Sequence, residues 1–242
     1  MTSTPFLVVD NAVRRFVGLI AVDTVSFSME RGEILSMIGP NGAGKTTMFN
    51  LITGQLSLSD GAITFCGERI EELPPHIRAQ RGLGRTFQIA KPLVALTARE
   101  NVMVGAFLHN RGFAEAFERA NSVLAEVGLD MRADALAGEL TLSERRRLEI
   151  ARALALDPKL ILLDEVMAGL NATEVTRVID LIQRLNARGL TFFVIEHNLK
   201  VVRAVSRRVI VLDHGVKIAE GTATEVLSDP TVIKAYVGKR AG

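Results

Sequence analysis

Gly39-Pro40-Asn41-Gly42-Ala43-Gly44-Lys45-Thr46-Thr47 is the stretch that decides the fold. It has the form G-x-x-x-x-G-K-[ST], a phosphate-binding loop. Just upstream, Ile34-Leu35-Ser36-Met37-Ile38 is a short apolar run of the kind that makes a buried strand. Just downstream, Lys45 to Thr53 reads as a helix, with Gly54 as its stop. Strand, glycine-rich loop and helix are the context such a motif needs. Phosphate oxygens require several N–H donors at close range, and glycines let the backbone curl around them with no Cβ in the way. The helix N-terminus adds its free N–H groups and its positive end. In such a loop Lys45 reaches the β- and γ-phosphates and the Thr46 hydroxyl holds Mg²⁺.

A second signal lies at Leu160-Ile161-Leu162-Leu163-Asp164-Glu165. Four large apolar residues make a fully buried strand. Two carboxylates at its end are costly to bury without a cation. Neighbours on a strand point to opposite sides, so the two acids are expected to have separate jobs. Asp164 would face the Mg²⁺ of the loop and Glu165 an attacking water. Thr191–Ile195 is a third buried strand, ending in Glu196-His197. A histidine at a strand end beside phosphate chemistry can orient a water or contact the γ-phosphate.

The remaining chain is less specific. The 242 residues suffice for one large domain, or a domain with an inserted subdomain. A net charge of +2 from interspersed residues gives no prior for a nucleic-acid partner. The single cysteine, Cys66, excludes an intrachain disulfide and is expected as a small buried strand residue in a reducing compartment. No apolar run approaches the ~18 residues of a membrane span, and the N-terminus lacks the plan of a signal peptide, so a soluble chain is expected. Phe6–Val9 and Ala21–Met29 read as strands, Arg31-Gly32-Glu33 as a hairpin-like turn, and Gly61–Ile70 as a short hairpin. Segments 97–108, 113–127 and 144–156 read as helices, with Leu148, Ala151 and Ala155 in the core. Arg145-Arg146-Arg147 could touch phosphates or form a solvated or partner-facing helix face. An amphipathic helix follows over 173–188, then a strand at Val209–Leu212 and a helical tail from Glu225 to Lys239. Phe16, between Arg14, Arg15 and Gly18, could stack on a purine or sit half-buried in a strand.

In this order the pieces resemble the ATP-binding subunit of ABC transporters over essentially the whole chain. The resemblance implies an α/β P-loop NTPase: a mixed sheet with flanking helices, an antiparallel β part at the N-terminus and an inserted helical subdomain. Residues 1–90 and 157–242 would form the nucleotide-binding core, and 91–156 the helical subdomain. It implies ATP and Mg²⁺ as ligands. Gly39, Pro40, Asn41, Gly42, Ala43, Gly44, Lys45, Thr46 and Thr47 would cradle ATP, Phe16 would stack on the adenine, and Thr46, Gln88 and Asp164 would hold the metal. Glu165 and His197 would be catalytic. Leu140-Thr141-Leu142-Ser143-Glu144 takes the place of the signature motif, which completes the ATP site of a second ATPase subunit. Integral membrane permeases and, indirectly, a substrate-binding protein are the further implied partners, with no nucleic acid. The implied location is peripheral, on the cytoplasmic face of the inner membrane. Arg85-Thr86-Phe87-Gln88, Ala168-Gly169-Leu170-Asn171, Ile195-Glu196-His197 and the tail Ser228–Gly238 are similar to the branched-chain amino-acid importer branch. A lipopolysaccharide-export ATPase and a regulatory subunit with weak hydrolysis are the alternatives.

Three positions depart from the family pattern. The signature Leu-Ser-Gly-Gly-Gln has lost both glycines and the glutamine. Val166 stands where proline usually follows the two acids, and Asn171 where aspartate is usual. Glycine permits φ > 0 and close approach of a backbone to phosphate. Leu142 and Ser143 add side chains there, and Glu144 adds negative charge. The ATP site completed by this signature is therefore expected to be the weaker of two.

Overall fold

A computed structural model describes residues 5–86, 92–110 and 112–237. The chain begins with β1 (Leu7–Phe16), β2 (Leu19–Met29), β3 (Ile34–Ile38), α1 (Lys45–Thr53), β4 (Asp60–Phe65), β5 (Glu68–Arg69), α2 (Pro75–Gln80) and β6 (Leu83–Arg85). Three helices follow: α3 (Ala98–Ala106), α4 (Phe113–Glu126) and α5 (Leu142–Leu154). The chain then returns through β7 (Leu160–Asp164), α6 (Ala172–Ala187), β8 (Thr191–Ile195), α7 (Leu199–Val205), β9 (Arg208–Asp213), β10 (Val216–Gly221), α8 (Ala223–Ser228) and α9 (Pro230–Val237).

Two sheets result. An antiparallel sheet has the order β2-β1-β4-β5, and a six-stranded sheet the order β10-β9-β3-β8-β7-β6. In the second, β9, β3, β8, β7 and β6 run parallel and β10 is antiparallel to β9. Every residue of β3, β7 and β8 is buried, as a strand covered on both faces requires. Their side chains alternate. Leu35, Met37, Leu162, Phe193 and Ile195 face a core shared with α1 and the antiparallel sheet. Ile34, Ile161, Leu163, Phe192 and Val194 face the other way, into one continuous core with α3, α4, α5 and α6. Leu148, Ala151 and Ala155 belong to that core, as their spacing predicts.

Several details differ from the sequence reading. Arg31-Gly32-Glu33 turns the chain from one sheet to the other; the hairpin turn is Val17-Gly18, between β1 and β2. Cys66 is exposed, in the β4–β5 turn with φ 52, because Gly67 and Cys66 make that turn together. The tail is two helices, broken at Asp229-Pro230, since proline starts a helix better than it continues one. Pro75 likewise opens α2 at its first position. Among the described residues, no helix is long and apolar enough to cross a membrane.

One unanticipated side chain fixes the end of α1. Arg78 is 2% exposed. It donates to the Leu51, Ile52, Leu73 and Glu71 carbonyl oxygens at 2.6–2.8 Å. The carbonyls at the helix C-terminus, where Leu51 also accepts the Gly54 N–H, thus receive a cation. Burial lowers the Arg78 pKa to about 10, which leaves it charged at neutral pH.

Candidate functional site

The loop after β3 holds three glycines in left-handed backbone: Gly39 at φ 148, Gly42 at φ 80 and Gly44 at φ 102. Two of them also sit where no Cβ fits. A Cβ on Gly39 would lie 2.1 Å from the Leu212 carbonyl oxygen, and one on Gly44 2.4 Å from that of Ala21. The loop is thereby clamped between β9 and β2. Gly44 is the N-cap of α1, and no side chain caps that helix. The Lys45 ammonium, 6% exposed, donates to the Gly39 and Pro40 carbonyl oxygens at 2.8 and 2.9 Å. Those bonds fix the cation over the loop.

A cleft of about 470 Å³ opens over this loop. Its lining brings together Asn41–Thr47, Phe16, Glu165 and His197, with Leu19, Ile20 and Ala21 of β2 and His214 beside them. Phe16 ends β1 at the hairpin tip, 41% exposed, with the Arg14 guanidinium 4.6 Å from its ring centre. The β9–β10 turn reaches the site through two backbone bonds, Gly215 N–H to the Ala43 carbonyl and Asp23 N–H to the Gly215 carbonyl. His214 enters the lining by that route; its position in a short polar turn carried no sequence signal.

Asp164 and Glu165 diverge, though not by the alternation of a strand. Strand β7 ends at Asp164, and Glu165 is left-handed at φ 51. Such a conformation costs a non-glycine residue on the order of 1 kcal/mol and persists where neighbours impose it. Here the Glu165 N–H is bonded to the Ile195 carbonyl, and its own carbonyl accepts from the Ala168 N–H. Glu165 Oε1 lies 2.5 Å from His197 Nε2. Asp164 is 1% exposed, with Oδ2 3.2 Å from the Arg85 guanidinium. Burial pushes the Asp164 carboxyl up, against the Arg85 and Lys45 charges. Its Oδ1 is buried with no hydrogen-bond partner among the described residues. Arg85 also donates to Asn50 and Thr53 of α1, tying β6, β7 and the loop helix together. Neither Arg85 nor Asn50 was anticipated as part of the site. Gln88 lies outside the described residues.

A buried carboxylate oxygen with no partner among the described residues, within reach of the Lys45 charge, fits a hard metal that takes oxygen ligands and keeps its other positions for water and phosphate. Thr46, exposed in the cleft, offers a hydroxyl on the same side as Lys45.

The stretch Leu140–Glu144 is not part of this lining. Thr141 is the N-cap of α5: its hydroxyl accepts from the Glu144 N–H, and the Glu144 carboxylate accepts from the Thr141 N–H and hydroxyl. Leu142 and Ser143 form the first turn, and no residue from 140 to 144 has positive φ. The backbone there makes no demand for glycine, contrary to the sequence argument about φ. The Glu144 carboxylate is turned back onto its own helix and lies 3.4 Å from Arg132. Burial would raise it, but the Thr141 bonds and the Arg132 charge hold it below the usual range. Leu142 lies against Gly169, where a Cβ would be 3.0 Å from Leu142 Cδ2. Of the three arginines behind it, Arg146 is buried and the other two bond to backbone carbonyls. Arg145 donates to the Gly138 carbonyl and Arg147 to those of Val127 and Gly128.

A P-loop that ends in an uncapped helix, facing a glutamate–histidine pair, defines a nucleotide-hydrolysing cassette, and the comparisons agree. The model of the ABC transporter family matches residues 22–168, and that of the branched-chain amino acid ATP-binding cassette transporter matches residues 216–242. The chain belongs to the ABC transporter family. It is 39% identical to the high-affinity branched-chain amino acid transport ATP-binding protein BraF of Pseudomonas aeruginosa, over 98% of this chain and 99% of that one. It is 37% identical to the lipopolysaccharide export system ATP-binding protein LptB of Escherichia coli, over 96% and 97%. Among solved structures, the ADP conformation of an ATP-binding cassette of an ABC transporter superposes with a TM-score of 0.89, at 33% identity, covering 98% of this chain and 100% of that one. A dimeric cassette in a post-hydrolysis state, bound to ADP and Pi, gives 0.81 at 27% identity, covering 90% and 98%.

Proposed function

We propose that this chain is the ATP-hydrolysing subunit of an importer for branched-chain or related amino acids, docked on membrane permeases at the cytoplasmic face. The observation that carries hydrolysis is the Glu165–His197 contact at 2.5 Å in the wall of the P-loop cleft. A subunit that merely bound ATP would not need a left-handed glutamate held there. The tail match over residues 216–242 favours amino-acid import over lipopolysaccharide export.

In this reading ATP lays its phosphates along the N–H groups of Gly42–Thr47, at the open N-terminus of α1. Lys45 exchanges its carbonyl partners for β- and γ-phosphate oxygens. The adenine lies on Phe16, whose ring already carries Arg14. Glu165 accepts a hydrogen bond from the attacking water and polarises it, and His197 holds the Glu165 carboxylate in place. Thr46, Asp164 and Gln88 would hold Mg²⁺, which supplies charge screening on the phosphate oxygens when bound. Two chains, alike or related, would pair so that Leu140–Glu144 of one meets the nucleotide of the other. Residues 91–156 would act as the helical subdomain that faces the permeases.

Glu165→Gln tests the reading. ATP binding should persist while turnover falls roughly 10²–10³-fold, the usual loss for one preorganised group in such a site. Unchanged turnover, in an assembly where this chain supplies the sole active glutamate, would refute the assignment.

A further inference from the structure

We propose that Glu196 is a positioning residue, whose buried carboxyl ties the turn that carries Glu165 to the turn that carries His197. The proposal rests on the ATPase reading of the cleft given above. Glu196 is 3% exposed and is absent from the cleft lining, so it touches no substrate. A buried carboxyl is expensive, and an apolar residue would extend β8 at lower cost. What offsets the expense is a pair of backbone donors from two different turns. The Met167 N–H donates to Glu196 Oε1 at 3.2 Å, and the His197 backbone donates to the same carboxyl.

These bonds fall where the geometry needs them. Glu165 is left-handed, and its N–H already bonds to Ile195. Residues 195 and 196 therefore grip the turn on both sides of Glu165, immediately before the histidine that meets its carboxylate. Met167 opens the segment whose Gly169 packs on Leu142 of α5. Arg146 of α5 acts on the Glu196 carboxyl as well. One side chain thus joins the catalytic turn, the histidine turn and the helix that starts at Leu142. Burial, then the nearby Glu165 charge, push Glu196 up to about 7 against these donors, a sign of how closely the groups are set.

The test is steady-state ATPase of the assembled transporter, with ATP affinity measured separately by titration of a fluorescent ATP analogue. Glu196→Leu keeps the volume and removes the acceptor. It should lower kcat roughly tenfold to a hundredfold, while KM and ATP affinity stay within about twofold. Glu196→Gln, whose amide oxygen still accepts from Met167, should retain most of kcat. Combined with His197→Ala, the leucine change should add nothing to the loss from His197→Ala alone, because both act through one carboxylate. Glu196→Thr, too short to reach Met167, replaces the leucine variant if that one does not fold. The proposal is overturned by a kcat near wild type in the leucine or threonine variant, by equal losses in the glutamine and leucine variants, or by losses that multiply with His197→Ala. Glu165→Gln run in parallel separates the two claims. Full turnover in that variant overturns the ATPase reading itself, whereas lost turnover with an unaffected Glu196→Leu overturns the positioning role alone.

Discussion

Two helix starts carry the motifs singled out in the sequence, α1 at the phosphate loop and α5 at Leu140–Glu144, and they are treated in opposite ways. At α1 the N-terminus is left open: Gly44 caps it with no side chain, and three left-handed glycines turn the preceding loop outward. At α5 the N-terminus is closed: Thr141 and Glu144 cap one another, as do Thr97 and Glu100, Asn171 and Glu174, and Thr222 and Glu225 at other helices. Free N–H groups at a helix start are a resource for anions. Helices α2 and α4 also start without a side-chain cap, but only α1 follows a loop of left-handed glycines beside a buried lysine, the arrangement that the proposed reading assigns to phosphate. The α5 end keeps its capping box and its Leu142–Gly169 contact, which under the proposed pairing would suit a surface approaching a nucleotide held by another chain.

The sharpest way to break this contrast is Lys45→Ala. It should weaken ATP binding roughly 10²–10³-fold, as two charge-assisted phosphate contacts would be lost; wild-type affinity in a nucleotide titration would end the claim that the α1 start is the phosphate site. Gly44→Ala comes next. Its Cβ meets the Ala21 carbonyl oxygen at 2.4 Å at a φ of 102, so about 3 kcal/mol of stability should go, together with nucleotide binding. Denaturant unfolding beside the same titration checks both.

A pH effect of similar size tests the buried carboxyl between the two regions. Burial raises Glu196 from 4.5 to about 7. Between those values the folded chain binds more protons than the unfolded chain, so stability falls as pH rises through the window and levels off above it. The loss should reach at most roughly 3 kcal/mol, and Glu196→Gln should flatten it. Unfolding curves of both proteins at pH 5 and pH 8 read the difference; parallel curves would show that the carboxyl is ionised throughout.

Thr141→Ala should cost about 1 kcal/mol, the usual value of a cap, without changing ATP affinity at the chain's own P-loop. Ser143→Gly is the smallest. With no positive φ at 143, glycine gains nothing from its backbone freedom and should cost up to about 1 kcal/mol in the helix, with no rise in ATPase activity. A rise would mean that the Ser143 side chain itself, rather than the backbone, limits approach to a nucleotide.

Much of the site was legible one residue at a time. The loop, β3 and α1 follow from a motif whose glycines have local reasons to exist, and α1 occupies the expected Lys45–Thr53. The apolar runs at Leu160 and Thr191 announce buried strands ending in acids and a histidine. What was missed is short or depends on distant partners. Helix α7 has seven residues, and β10 is half-exposed, so neither shows a period. Nothing local marks Arg78 or Arg85 as buried, because the carbonyls and the Asp164 carboxylate they serve are distant in sequence. Glu196 did leave a trace: an acid directly after five buried strand residues, beside a histidine.

The sequence by itself determined the phosphate loop, the buried parallel strands, the amphipathic helices and the family, because each rests on contacts within a few residues or on a periodic pattern. Tertiary structure alone decided where the acids point and which helix ends stay open. Glu165 is turned by its bond to Ile195, one Asp164 oxygen has no partner among the described residues, and Glu144 is spent on Thr141 and Arg132. Those outcomes depend on which distant groups compete for the same carboxylate, and local spacing does not record that competition.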